Sequence, residues 1–264
     1  MKHKAAALLS AVAITVAPSL VAQPAEAVTN YTVTVVSTGG AAENSNWTYA
    51  AGQITPTASV SINASDVVAK LALGDLVING DKILVNAGIN SSTASDLTFK
   101  ATGNIIVGGA LTLQTLGGDV IFNADSDANL TGHVRLGWDA NCGMGYVNTN
   151  GGNIIIGGGA NPLTDVTSAQ NADLPSTFCP GGTPALTGTA VYNYSLNAAG
   201  GNISLRGGSQ ALGTGVSVRS LRISGSGGLT PSLQTSGSGT INVYGDGSLI
   251  NHNNAWGVEL GTVN

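Results

Sequence analysis

Short runs of valine, isoleucine and leucine recur along the chain, and most runs follow a turn of glycine with asparagine or aspartate. The turn and the run occur together at residues 102–107, 117–122, 131–136, 151–156, 200–205 and 238–243. Apolar residues alternate with polar ones around these segments, as at Leu97 and Phe99 or at Leu111 and Leu113. A period of two is typical of strands that bury one face. The pattern therefore predicts many short strands in a repeated arrangement.

The glycines of these turns are closely spaced. Gly103, Gly118, Gly132 and Gly152 are 15, 14 and 20 residues apart, which is about the contour of one coil of two or three short strands. A unit of strand, crossover helix and strand needs a longer connection. Stacked repeats bury their apolar faces against their neighbours. We therefore predict an all-β fold, a parallel β-helix (β-solenoid) that occupies residues 66–264.

The segment before these repeats has a different pattern. Residues 28–65 are rich in threonine and strand-like at residues 31–36, but they lack the glycine turn. Because a solenoid needs a dissimilar terminal unit over its first coil, we predict that residues 28–65 form N-terminal capping strands. Residues 66–73 have apolar positions at helical spacing and predict at most one short helix.

A proline-rich stretch interrupts the repeats. Pro162, Pro175, Pro180 and Pro184 lie between the turn glycines Gly152 and Gly201. Proline cannot donate a hydrogen bond to a sheet, so we predict a loop inserted between coils at about residues 160–190.

Asparagines recur at the ends of the predicted strands. They suit positions that tolerate a left-handed backbone, and they could form a ladder of stacked side chains between coils. Ordinary turn formation explains them equally well. The asparagines in question are Asn86, Asn104, Asn123, Asn153 and Asn202.

The first residues have the features of a secretory signal peptide. Lys2 and Lys4 precede an apolar run at residues 5–17, and Ala25 and Ala27 form a small-x-small cleavage site. We predict a signal peptide at residues 1–27, with cleavage between Ala27 and Val28. An uncleaved anchor is the alternative, although the run is shorter than the ~20 residues of a spanning helix. We find no transmembrane segment later in the chain and expect a secreted or cell-surface protein.

Composition narrows the possible partners and chemistry. Only 9% of the residues are charged, and the formal net charge is −5. The chain has no lysine or arginine cluster, which argues against nucleic acid as a partner. It also lacks the HExxH, CxxC, GxxxxGK and GxGxxG motifs, so we expect no cofactor.

The chain contains two cysteines, Cys142 and Cys179. In an exported protein such a pair favours a disulfide, which would stabilise the fold by up to about 4 kcal/mol. Two unpaired thiols are the alternative.

An acidic cluster is the one candidate for catalysis. Parallel β-helix enzymes that act on polysaccharides place carboxylates from adjacent coils on one face, either with Ca²⁺ and a basic residue or as an acid and base pair. Aspartate is also common in turns for backbone reasons alone. The candidate residues are Asp119, Asp125, Asp127, Asp139 and Arg135.

Residues 139–143 resemble the start of a calcium loop. Asp139 and Asn141 supply alternate oxygen ligands, but Asn150 occupies the twelfth position, where such loops have a bidentate glutamate. A structural turn is the favoured interpretation, and we expect no metal site.

Several of these segments together are similar to the repeats of filamentous-haemagglutinin-like bacterial surface proteins. The similar segments are residues 83–124, 133–141, 149–159, 196–207, 236–247 and 256–260. The resemblance implies a right-handed β-helix in a large exported protein of the adhesin or autotransporter-like kind. Such proteins are rods that project from the cell and bind other cells, surfaces or matrix.

We therefore expect an exported, surface-displayed β-solenoid that acts as an adhesin or structural scaffold without catalysis. Its partner would be a host or neighbouring cell surface, matrix or glycan. A secreted polysaccharide lyase or glycosidase is the alternative, and a structural spacer or surface-layer component is a third possibility. Since residue 264 lies in strand-like sequence with no polar closing unit, we expect the chain to be the N-terminal part of a longer polypeptide.

Overall fold

The computed structural model describes residues 30–137, 143–168, 186–208, 218–247 and 255–261. Within these ranges the chain forms one helix and 21 strands, which belong to three sheets. The all-β prediction is confirmed, as is the expectation of at most one short helix in the described residues.

Two of the sheets have eight strands each. In spatial order, sheet B consists of β2 (Trp47–Ala50), β3 (Gln53–Pro56), β5 (Leu76–Gly80), β8 (Leu97–Ala101), β11 (Val120–Ala124), β14 (Ile154–Gly158), β17 (Ile203–Gly208) and β20 (Ile241–Asp246). Sheet A consists of β4 (Val60–Asn63), β1 (Thr32–Val36), β6 (Lys82–Val85), β9 (Ile105–Val107), β12 (Val134–Leu136), β15 (Leu186–Tyr192), β18 (Val218–Ser224) and β21 (Ala255–Leu260).

Sheet C is smaller. Its five strands are β7 (Ile89–Asn90), β10 (Thr112–Gln114), β13 (Gly145–Asn148), β16 (Tyr194–Asn197) and β19 (Leu233–Gln234). From β5 onward the chain passes through sheets B, A and C in that order and then repeats the order. We call one such passage a circuit. Each strand pairs in parallel with the strand one circuit later, as Val120 pairs with Ile154.

The circuits explain the recurring glycine turn and correct the predicted spacing. One group of turn glycines precedes strands of sheet B, and a Cβ on Gly152 would meet the backbone of Gly118 one circuit earlier. Gly103 and Gly132 instead precede strands of sheet A. The turn glycines from Gly103 to Gly152 therefore alternate between two corners of a circuit, whereas Gly201 and Gly239 lie at the same corner as Gly152. The inference that each interval of 15, 14 or 20 residues is about one coil is wrong.

The core consists of inward-facing residues stacked in register from circuit to circuit. Ile78, Phe99, Phe122, Ile156 and Leu205 occupy equivalent positions on sheet B and are fully buried. The rings of Phe99 and Phe122 stack with centroids 5.3 Å apart. Each circuit thus buries its apolar side chains against the circuits beside it, as the alternating pattern predicts.

The first strands differ from the rest. Strands β2 and β3 form an antiparallel hairpin, whereas every other strand pair that the structure describes is parallel. The helix α1 (Ala64–Leu71) begins two residues before the predicted segment and buries Val67 and Leu71. Asp66 in its first turn and Lys70 in its last turn suit the helix dipole.

Several predictions fall on residues outside the described ranges. These are the signal peptide with Ala27 and Val28, the pairing of Cys142 with Cys179, the sites at Asp139 and Asn141, and residues 169–185 of the proline-rich stretch. The described parts of the predicted loop are residues 160–168, which contain a turn and a bridge from Thr167 to Gly207, and residues 186–190, which belong to β15 and not to a loop. Among the described residues, no helix has the length and apolar character needed to span a membrane.

Candidate functional site

A row of polar side chains lies along the corner where the chain enters sheet B. Each member directly precedes a strand, and the side-chain oxygen of every member except the last accepts a hydrogen bond from the backbone N–H of the next member. The five donor-to-acceptor distances are 3.0, 2.7, 2.6, 2.8 and 2.9 Å. We call this set the corner row; it consists of Asp75, Asp96, Asp119, Asn153, Asn202 and Thr240.

The hydrogen bonds of the corner row are intramolecular. Asn153 also donates from Nδ2 to both carboxylate oxygens of Asp119, at 3.0 and 3.1 Å. Burial raises the pKa of Asp96, and the nearby charges of Asp119 and Asp75 add to the shift, while a bond from the Asp119 N–H opposes it. The ladder interpretation of the asparagines is confirmed for Asn153 and Asn202. The row joins successive circuits, which is a structural role.

The described members of the acidic cluster do not form one cleft. Asp119 and Asp125 lie at opposite ends of β11, roughly 20 Å apart for an extended strand. Asp127 is exposed, and its Oδ2 accepts a 2.7 Å bond from Nδ2 of Asn129 in the same turn. Arg135 is fully buried within β12 of sheet A. Among the described residues, no group of three or more histidine, cysteine, aspartate or glutamate side chains is placed to hold a metal ion.

Asp125 organises a loop. It has a left-handed backbone (φ 54°), and its side chain is buried. Its Oδ1 accepts bonds from the backbone N–H groups of Leu130 (2.9 Å) and Thr131 (3.3 Å), and its Oδ2 accepts one from Oγ of Ser168 (3.3 Å). Burial raises the pKa of Asp125 to about 6, although these bonds oppose the shift. The carboxyl thus fixes the turn at residues 125–131 and contacts Ser168.

A second polar row lies on the outer face of sheet C. Its members are adjacent in the strand register, and the apolar residues that precede them in sequence face the core. Successive side chains of a strand point to opposite faces, so these amides point outward. We call this set the face row; it consists of Asn90, Gln114, Asn148, Asn197 and Gln234.

Hydroxyl and aromatic side chains accompany the face row. Thr112, Tyr146 and Ser195 are in register, and 43% of Tyr146 is exposed. Ser232 on the next circuit donates from Oγ to Oγ of Ser195 at 3.1 Å. The outer face of sheet C therefore presents amides beside hydroxyl groups on several consecutive circuits.

Equivalent outward positions on the other two sheets have no common chemistry. On sheet B they are Gln53, Val77, Thr98, Ile121, Ile155, Ser204 and Asn242. On sheet A they are Thr34, Leu84, Ile106, Arg135, Ala190, Arg222 and Glu259, of which Arg135 and Ala190 are buried. Within the described residues, the face row is distinguished by an amide at every circuit.

The sequence contains a signal for the face row that the glycine pattern obscured. In each circuit an apolar residue is followed directly by asparagine or glutamine, as in Leu113 with Gln114 and Val147 with Asn148. Strand alternation alone places those amides opposite the core. The signal becomes specific only when the strands are known to lie side by side.

Comparison with known proteins gives no relative. The chain matches no protein-family model, no curated protein and no solved structure. The resemblance to filamentous-haemagglutinin-like repeats therefore stays a prediction. No relative assigns a ligand to the corner row, to the face row or to Asp125.

Proposed function

We propose that the protein is an exported, surface-displayed right-handed parallel β-helix that acts as an adhesin or scaffold, with the face row as its contact surface. The order of sheets B, A and C and the parallel pairing between consecutive circuits support the β-helix. Parallel crossovers in proteins are almost always right-handed, which supports the handedness. The signal-peptide pattern supports export.

The N-terminal segment has the contacts that a cap needs. Trp47 of the hairpin is 1% exposed, and its Nε1 donates to the backbone oxygen of Ala41 at 2.9 Å. Lys70 of α1 lies 2.6 Å from Oε2 of Glu43 and 4.5 Å from the centroid of the Tyr49 ring. These contacts support our proposal that residues 28–65 close one end of the solenoid.

The face row is the observation that carries the adhesin proposal. Neighbouring strands lie about 4.8 Å apart, so the row places an amide group at that interval along the molecule. Oδ1 of Asn197 accepts a 3.1 Å hydrogen bond from the backbone N–H of Ala199. Within the part of the chain that the structure describes, the side chains of Gln114 and Asn148 make no intramolecular hydrogen bond. Their hydrogen-bonding capacity is available to a ligand. Many weak contacts to one polymer add up to a much higher avidity.

The chemistry of this face favours an uncharged hydroxylated polymer, such as a glycan of a cell surface or matrix. Amide and hydroxyl groups match sugar hydroxyls as donors and acceptors. The exposed Tyr146 adds an apolar ring surface with a polar tip. The face row itself contains no cation to attract a phosphate backbone.

Binding of the purified full chain to immobilised glycans and matrix proteins tests this proposal. We expect a variant with Gln114→Ala and Asn148→Ala to bind at least tenfold more weakly. A matched control with Thr98→Ala and Asn242→Ala, at outward positions of sheet B, should bind as the parent does. The proposal fails if the parent binds nothing in the panel, or if the two double variants bind equally well.

A polysaccharide lyase or glycosidase is the second candidate function, and one observation favours it. The raised pKa of Asp125 suits a general acid. A glycosidase would need a second carboxylate about 5–10 Å away. Turnover of polysaccharides that is lost in Asp125→Asn would establish catalysis and would contradict a purely adhesive role.

A further inference from the structure

A groove of about 380 Å³ lies at the edge of sheet B, where the chain leaves this sheet for sheet A. Three segments form it: the turn at residues 125–130, the loop at residues 159–166, and the ends of β17 and β20. Its volume falls within the range of small-molecule sites in proteins. The groove belongs to a different sheet from the face row.

Glycines on sheet B make room for the loop that walls this groove. A Cβ on Gly157 would collide with the backbone oxygen of Pro162, and one on Gly158 would lie 2.5 Å from the oxygen of Val166. On the next circuit, a Cβ on Gly208 would lie 2.6 Å from Cγ2 of Val166. The sheet is thus free of side chains where the loop lies on it. The wall of the groove is fixed by close backbone packing.

An aromatic ring and a guanidinium group stand together on one side. Arg206 and Tyr244 are neighbours in the register of β17 and β20, and Cζ of Arg206 lies 5.0 Å from the centroid of the Tyr244 ring. Nη1 of Arg206 donates to the backbone oxygen of Thr164 at 3.1 Å, which ties it to the loop. Tyr244 remains 47% exposed. This arrangement supplies an accessible ring beside oriented donors.

Carboxylates supply acceptors around the groove. Asp165 is held by the backbone N–H of Asn161 at 2.9 Å and by Oγ1 of Thr164 at 3.0 Å. Asp246 lies on β20, and the buried Asp125 lies in the turn at residues 125–130, which forms one side of the groove. The carboxyl groups of Asp125 and Asp165 outnumber the one guanidinium group in the lining, which disfavours an anionic ligand. They suit a ligand that donates hydroxyl hydrogens.

We propose that this groove is a saccharide subsite, which binds one or two uncharged sugar units against Tyr244. The apolar face of a sugar ring would pack on the aromatic ring, while its hydroxyl groups donate to Asp165 and Asp246 and accept from Arg206. The inference does not depend on the face row, because it concerns a different sheet. A long glycan need not bridge the two surfaces.

Titration of the full chain with uncharged oligosaccharides of glucose, galactose, mannose and N-acetylglucosamine tests this inference. Saturation-transfer NMR reports which ligand protons touch the protein, and calorimetry reports the affinity. We expect saturable binding of at least one of these sugars and weaker binding of oligogalacturonate, which carries carboxylates. Tyr244→Ala should weaken binding at least tenfold, while Tyr244→Phe, which keeps the ring, should retain most of it.

Tyr146→Ala is the matched control, since Tyr146 is a similarly exposed tyrosine on sheet C. It should leave the groove affinity unchanged even if it weakens retention on immobilised polymers. The inference is overturned if no uncharged sugar binds, if oligogalacturonate binds best, or if Tyr244→Ala binds as the parent does. A circular-dichroism melt of each variant separates loss of the groove from loss of folding.

Discussion

The corner row and the face row both contain amide side chains, but these differ in their hydrogen bonds. In the corner row, Asn153 and Asn202 give their oxygens to backbone N–H groups of the next circuit. In the face row, Gln114 and Asn148 make no hydrogen bond within the part of the chain described here. Residue type therefore does not reveal which polar row stabilises the fold and which is available to a ligand. The position of the residue relative to its strand decides this: a corner-row residue precedes a strand, and a face-row residue lies at the end of one.

The corner geometry should be the most sensitive to change, because the turns stack with almost no space between them. In Gly152→Ala, the new Cβ would collide with the backbone of Gly118 on the preceding circuit. We expect the free energy of unfolding to fall by about 3 kcal/mol, the upper part of the range for overpacking. Chemical unfolding measures this loss.

Gly151→Ala is the control for this substitution. Nothing lies within 4 Å of a Cβ at Gly151, but its φ of +120° strains any other residue. We expect the free energy of unfolding to fall by about 1 kcal/mol. If Gly152→Ala costs no more than Gly151→Ala, close stacking is not what fixes glycine at this corner.

The side chains of the corner row should come next. Asn153→Ala removes the acceptor for the Asn202 N–H and the donor to Asp119. Since Asn202 and Asp119 are both partly solvated, we expect the free energy of unfolding to fall by about 1–2 kcal/mol. Thermal and chemical unfolding provide the measurement, with Asn148→Ala as the matched asparagine on the face row. Equal losses at the two sites would remove the distinction between the rows.

Charge in the corner row should have a smaller, pH-dependent effect. The pKa of Asp96 is raised in the folded protein. The contribution of this carboxyl to stability is therefore present below its ordinary pKa, and it is lost as the pH rises through the raised pKa. Asp96→Asn keeps an oxygen for the Asp119 N–H. We expect this variant to be more stable than the parent at pH 7, by less than about 1 kcal/mol.

That gain should disappear as the pH falls below the pKa of Asp96, because the parent carboxyl is then neutral too. Melting temperatures of parent and variant between pH 3 and pH 7 test this. If the difference in melting temperature between variant and parent grows toward low pH, the burial of the Asp96 charge is not the cause of the gain.

The face row should have the smallest effect on stability. Gln114→Ala together with Asn148→Ala removes two outward amides without breaking a described hydrogen bond. We expect the free energy of unfolding to change by less than about 0.5 kcal/mol, as is usual for surface positions. A loss above about 1 kcal/mol in chemical unfolding would show that the face row is structural.

The strands and the helix could be predicted from local patterns. Alternation identifies strands such as β8 and β11, and the spacing of Val67 and Leu71 identifies α1. The length of a circuit could not be predicted, because the same glycine turn serves two corners. Gly103 and Gly118 look alike in sequence, yet they precede strands of different sheets.

The candidate sites were harder to predict for the same reason. Asp119 and Asp125 are close in sequence, but an extended strand carries them to opposite corners. The groove at Tyr244 brings together segments that are about 120 residues apart in sequence. They meet because circuits pair with one another, and local sequence patterns do not show this pairing. The asparagine ladder was visible as a possibility. Only the strand register separates its members from those of the face row.

Our central proposal is that the corner row holds the fold and the face row binds the ligand. Its most direct test measures glycan or matrix binding per folded molecule, together with the melting temperature, for Asn153→Ala and for the Gln114→Ala, Asn148→Ala variant. We predict a lower melting temperature with unchanged binding for the first, and weaker binding with an unchanged melting temperature for the second. The reverse result, or parallel losses in both variants, would contradict the claim.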